Sequence, residues 1–139
     1  MVDNFDTARV RDILSRAVTI AVIGAKDKPG PADDVGRYLI DRGFRVIPVH
    51  PARRDVWGLK TYARLADIEE AVDVVDVFRA AAHCPDHARE VLQMPVRPKL
   101  FWLQSGIVSA EAGAILAGSG VAFVSDACLM LDHRRLFPQ

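Results

Sequence analysis

Thr19-Ile20-Ala21-Val22-Ile23-Gly24-Ala25-Lys26-Asp27-Lys28-Pro29-Gly30-Pro31 decides the fold of this chain. An apolar, largely β-branched run ends at Gly24, a loop with two lysines follows, and Pro31 stands where a helix begins. The unbroken apolar run predicts a strand buried on both faces, as in a parallel sheet. Proline suits the first helical position, where its missing N–H has no partner to lose. Strand, glycine turn, helix is the order in which nucleotide-binding α/β domains set a phosphate at a helix N-terminus. The stretch therefore reads as the first βα turn of a Rossmann-like domain holding a phosphorylated cofactor. Gly24 permits a tight turn, and Lys26 and Lys28 add positive charge. The loop lacks the G-x-G-x-x-G spacing, because Lys26 occupies the place of the second glycine, and no Gly-Lys-Ser/Thr follows. Alone it reads equally as an ordinary βα turn with solvated lysines. Asp33 and Asp34, in the next helical turn, suit the helix dipole but oppose an anion at the same spot.

Outward from this turn, strands and helices alternate. Upstream, Val10, Ile13, Leu14 and Ala17 form one apolar helical face that Asp6 or Thr7 caps. Downstream, the pattern predicts a helix over residues 31–42 closed by Gly43, and a strand over 45–49. Residues 58–71 read as loop with a short helical turn near 65–70. A third strand covers 72–78, and its Asp73 and Asp76 place it nearer an edge. A helix over 84–93, stopped by Pro95 and Pro98, leads to a strand over 100–103. Ser109 caps the next helix, a fifth strand covers 121–124, and a short amphipathic tail spans 127–137. The expectation is an α/β fold: a doubly wound, five-stranded parallel sheet of order 3-2-1-4-5 with helices on both faces. Residues 1–139 read as a single domain, with the helix within 1–18 packed on it. Ligands then bind beyond the carboxyl ends of the strands, at the turns after Ile23, Val49, Val77 and Leu103.

Composition excludes several classes. Half of the 139 residues are apolar, which excludes disorder, and the formal charge is zero, which argues against coating nucleic acid or a membrane by bulk charge. No apolar run is long enough to span a bilayer. Met1 to Asp6 has neither a basic nor an apolar segment of a signal peptide. Two unpatterned cysteines, Cys84 and Cys128, make no disulfide framework. A reduced, cytoplasmic location is the expectation.

The four turns carry the chemistry. The second, Val49-His50-Pro51-Ala52-Arg53-Arg54, lacks the acidic residue that holds an NAD ribose. It offers two arginines instead, planar partners for the extra ribose phosphate of NADP or coenzyme A. The third turn presents Phe78 and Arg79, and the fourth Gln104, Ser105 and Gly106, which suit orientation of an amide-bearing ligand. No nucleophile–base pattern surrounds His50, His83, His87 or His133. His83, Cys84 and His87 make only an incomplete metal set, and Cys128 reads as a packing residue.

The Gly24 loop, Val49-His50-Pro51, Asp76-Val77-Phe78-Arg79, Trp102-Leu103-Gln104-Ser105-Gly106 and Asp126-Ala127-Cys128-Leu129-Met130 together resemble the small bacterial and archaeal CoA-binding domain proteins. These are similar to the CoA-binding domain of the succinyl-CoA synthetase α subunit. The resemblance runs from about Thr19 to Phe137. It implies coenzyme A bound across the strand ends. Gly24, Ala25, Lys26, Asp27 and Lys28 would line the phosphate loop, and Val49, Pro51 and Arg53 would flank the adenosine end. Phe78 and Arg79 would border the ligand, and Gln104, Ser105 and Gly106 would meet the pantetheine. The leading expectation is a non-catalytic module that binds CoA or acyl-CoA as a sensor, carrier or regulator. An NADP-dependent oxidoreductase using the same crevice, and a scaffold with a vestigial site, stay open.

Overall fold

The computed structural model describes residues 6–138; all but Asp6 of the segment read for a signal peptide lies outside them. Five parallel strands form the sheet: β1 (Thr19–Ile23), β2 (Arg45–Val49), β5 (Val74–Val77), β6 (Leu100–Leu103) and β7 (Ala122–Val124). A separate two-stranded hairpin, β3 (Asp55–Val56) with β4 (Leu59–Lys60), is antiparallel. Five helices are α1 (Thr7–Arg16), α2 (Pro31–Asp41), α3 (Cys84–Gln93), α4 (Ala110–Leu116) and α5 (Leu129–Leu136). As the side-chain pattern demands, Asp6 caps α1, Ser109 caps α4, and Pro31 opens α2.

Alternation along each strand divides the core into two layers. Ala21, Ile23, Ile47, Val75, Val77, Phe101 and Leu103 face α3 and α4. Ile20, Val22, Val46, Val74, Leu100, Trp102 and Val124 face α1, α2 and α5. Both faces are therefore covered, which is why β1 is buried at every position.

The strand order corrects the expectation. It runs β2-β1-β5-β6-β7, so β1 lies between β2 and β5 and does not touch β6. The strand expected at the edge is central. The expectation of an edge rested on its two aspartates, and both have other positions. Asp73 precedes the strand, and its carboxylate accepts the Val18 and Thr19 N–H groups at 2.8 and 3.0 Å, tying down the entry to β1. Asp76 is fully buried mid-strand, in register with Val22 and Trp102. Outside β2, Tyr62 makes one parallel bridge to Val49. Its N–H donates to the Pro48 carbonyl at 3.0 Å, and its carbonyl accepts the His50 N–H at 2.9 Å. With Tyr62 counted as a one-residue strand, the outer order matches that of dinucleotide-binding sheets, 3-2-1-4-5-6.

The direction in which successive strands are laid down reverses between β1 and β5. From β1 the chain crosses by α2 to β2 on one side, and from β5 it crosses by α3 to β6 on the other. The turns after Ile23 and Val77 thus diverge and leave a crevice between them.

Candidate functional site

Gly24 sets the floor of that crevice. Its N–H donates to the Val49 carbonyl at 2.8 Å, and Phe78 N–H donates to the Ile23 carbonyl at 2.8 Å, so three turns meet at one point. The φ of Gly24 is +84°, and a Cβ placed there would lie 2.3 Å from the Phe78 carbonyl oxygen. Only glycine fits a left-handed position against another backbone.

Three hollows open around Phe78. The first, about 400 Å³, is bounded by Gly24, Lys26, Lys28 and Arg53 and by the start of α2 at Gly30, Pro31 and Ala32. The positive end of the α2 dipole and three cationic side chains thus border one space. The second, about 360 Å³, adds His50, Pro51, Arg79 and His83 to Gly24, Lys26 and Phe78. The third, about 510 Å³, lies toward β6 and α5 and is bordered by Arg79, Ala80, Gln104, Ser105, Ile107, Cys128 and Leu131. Pro31 and Phe78 border both the first and the third. Glycine loop and Gln104-Ser105 corner therefore border neighbouring hollows with Pro31 and Phe78 in common.

Positive side chains set the electrostatics around His50. The His50 imidazole is held below its ordinary pKa, first by burial, then by the nearby positive charges of Arg53, Arg79 and Lys26. Its Nδ1 accepts the Ala52 N–H at 3.0 Å, which fixes the turn. Neither Asp33 nor Asp34, expected to oppose an anion at the start of α2, borders the hollows around Phe78. Asp33 accepts the Trp57 indole N–H and the Arg37 Nε–H, each at 2.8 Å. Those bonds, the Trp57 one foremost, lower its pKa. Trp57 sits at the tip of the β3–β4 hairpin with φ +57°, and its ring lies on Gly36 of α2. A Cβ at Gly36 would fall 2.1 Å from the indole, so glycine makes the seat for this ring.

The thirteen residues expected at the site divide. Gly24, Lys26, Lys28, Arg53, Pro51, Phe78, Arg79, Gln104 and Ser105 border the three hollows. Ala25 is buried in the core under the loop. Val49 is buried too, and meets the loop through its carbonyl. Asp27 lies off the lining and approaches Arg53 at 3.7 Å. Gly106 is not on the lining either; its N–H donates to Asp126 at 2.7 Å and so shapes the corner. Gln104 is buried and its amide oxygen accepts the Leu129 N–H at 3.0 Å, capping α5.

Sequence reasoning missed Ile107 and Leu131; Cys128, read as packing, does pack on the core and also borders the third hollow. Leu131 carried a signal: it lies off the buried face formed by Leu129, His133 and Leu136, and it is 57% exposed. Of the incomplete metal set, the Cys84 thiol donates to the Arg79 and Ala80 carbonyls, and His87 pairs with Glu90 at 2.9 Å. No helix among the described residues is long and apolar enough to cross a membrane.

Known proteins are similar to this chain in sequence and fold. Bacillus subtilis YneT, itself named as uncharacterized, is 33% identical over 131 residues, 94% of this chain and 96% of its own. A solved Thermus thermophilus structure is 44% identical with a TM-score of 0.87, covering 95% of this chain and 99% of that one. A Pyrococcus horikoshii hypothetical protein is 31% identical with a TM-score of 0.89, covering 97% and 94%. The CoA binding domain model matches residues 18–134, from the strand before the Gly24 loop through most of α5. The chain belongs to the CoA-binding domain family.

Proposed function

We propose that this protein binds coenzyme A in the crevice around Phe78 and acts as a binding module. The pyrophosphate lies in the first hollow, at the start of α2 between Lys26 and Lys28. Arg53, on the turn after β2, meets the ribose phosphate. The pantetheine arm passes Phe78 and Pro31 toward Ser105 and the NH2 group of Gln104. One observation carries the reading: three cations and a helix N-terminus border one end of a crevice, whereas the other end has a single cation, Arg79, among neutral and apolar residues. That polarity matches a ligand anionic at one end only. Asp33 keeps its charge, but Trp57 and Arg37 hold its carboxylate off the lining of the first hollow. The residues bordering the crevice offer positioning groups and no nucleophile with an adjacent base, which favours binding over catalysis.

Calorimetric titration with CoA, dephospho-CoA and NADP in one buffer tests this. The expected order is CoA tightest, and Arg53→Ala weakens CoA about tenfold while changing dephospho-CoA by less than about threefold, as loss of one charge-assisted hydrogen bond predicts. Tight NADP with weak CoA would transfer the site to an oxidoreductase. Equal loss for CoA and dephospho-CoA would remove Arg53 from the ribose phosphate.

A further inference from the structure

We propose that the form of the ligand this protein selects is an acyl-CoA thioester with an apolar chain, in preference to free CoA. The proposal rests on the CoA reading above and extends it to the far end of the crevice. The third hollow is the most spacious of the three; Arg79 and Ala80 border it where it adjoins the second, and beyond Gln104 and Ser105 the opposite wall is Ile107, Cys128 and Leu131. Cys128 is a free thiol, and Ile107 and Leu131 bring no hydrogen-bonding side chain. The amides of pantetheine find partners at Ser105 and Gln104 and none on this wall. Free CoA would leave it facing water. The wall also carries one of the few large apolar side chains that the fold leaves open: Leu131 is 57% exposed although it sits on an amphipathic helix whose other apolar residues turn inward. An acyl chain on the CoA sulfur continues past Phe78 and Pro31 into this hollow and covers Leu131. The anionic end stays with Lys26, Lys28 and Arg53 on the far side of the same two residues.

Titration with CoA and with acetyl-, butanoyl-, hexanoyl- and octanoyl-CoA under one condition reads this directly. Affinity is expected to climb roughly two- to fourfold per buried methylene until the hollow is filled. Leu131→Gln tests the location, because glutamine adds no charge to repel phosphate and an exposed helical position tolerates it. This variant should flatten the chain-length series while its Kd for free CoA stays within about twofold. A series flat in the natural protein, with tight CoA, overturns this inference and leaves the CoA reading standing. A slope unchanged by Leu131→Gln overturns it too, since the chain then lies elsewhere. Silence with CoA and every thioester overturns both readings.

Discussion

At the scale of single residues, the loop after β1 holds a contradiction that its geometry resolves. Asp27 sits among lysines, and its carboxylate lies 3.7 Å from the Arg53 guanidinium, both groups about one-third exposed. At that exposure the pair contributes little to stability, at most about 0.5 kcal/mol after solvent screening. Its effect falls on the ligand instead: a phosphate that uses Arg53 must displace or share with Asp27. Asp27→Asn should therefore tighten CoA about three- to tenfold at low salt. The gain should shrink as salt is raised toward physiological strength, where screening acts over about 8 Å. Titrations at two ionic strengths, beside a denaturant curve that moves little, would check it. An unchanged Kd would place the phosphates away from this pair. The sequence showed that Asp27 and Arg53 belong to adjacent turns of one crevice. It did not show that they face each other, because the facing depends on the route of the chain after β2.

At the scale of elements, that route is governed by the β3–β4 hairpin, which composition gave little reason to expect. Trp57-Gly58 forms its two-residue turn, with both residues at positive φ. Asparagine or aspartate usually takes the position that Trp57 holds. Tertiary packing overrides this local preference: the indole rests on Gly36 and donates to Asp33. A sign reversal follows. Alanine at an exposed helical glycine stabilises by about 1 kcal/mol. Here Gly36→Ala should destabilise by about 1–2 kcal/mol, because its Cβ meets the ring and the hairpin must shift. In a Trp57→Ala background the same change should stabilise by up to about 1 kcal/mol. Denaturant unfolding of the four proteins checks the cycle, and additivity would mean that the ring does not press on the helix. The strands and helices with strong periodicity were legible from sequence, α2 with its Pro31 start and β1 above all. The order of strands was not, since residues 50–73, read as loop with a short helical turn near 65–70, hold that turn at Leu65–Asp67 but also a hairpin and a one-residue bridge beside Val49.

At the scale of the whole molecule, two buried titratable groups on the α2–α5 side of the sheet act in opposite directions on stability. Asp76 has neither carboxylate oxygen hydrogen-bonded and is wholly buried, and burial raises its pKa well above the ordinary carboxylate value. His133 is buried among Tyr38, Phe44 and Phe137, with Nδ1 2.7 Å from the Tyr38 hydroxyl. Burial, then the charge of Arg42, lowers its pKa to about 4. The signs follow from proton binding. For Asp76 the folded state holds its proton more tightly, so stability is greatest below the unfolded carboxylate pKa and falls as pH rises toward the folded value. For His133 the unfolded state binds the proton first, so stability is full above about pH 6.5 and falls as pH drops toward about 4. Between those limits the two slopes oppose, and the natural protein should show a shallow pH dependence. Asp76→Asn removes one slope. Its stability should rise between pH 4.5 and 6.5 by up to about 1.4 kcal/mol per pH unit, the maximum for one proton. The difference from the natural protein should move in favour of the variant as pH increases, whatever fixed penalty the buried amide carries. His133→Phe should do the reverse, leaving a protein that weakens as pH climbs through the same window. Urea unfolding of the three proteins across that range decides the matter. A free-energy difference between Asp76→Asn and the natural protein that stays constant with pH would mean Asp76 titrates alike folded and unfolded.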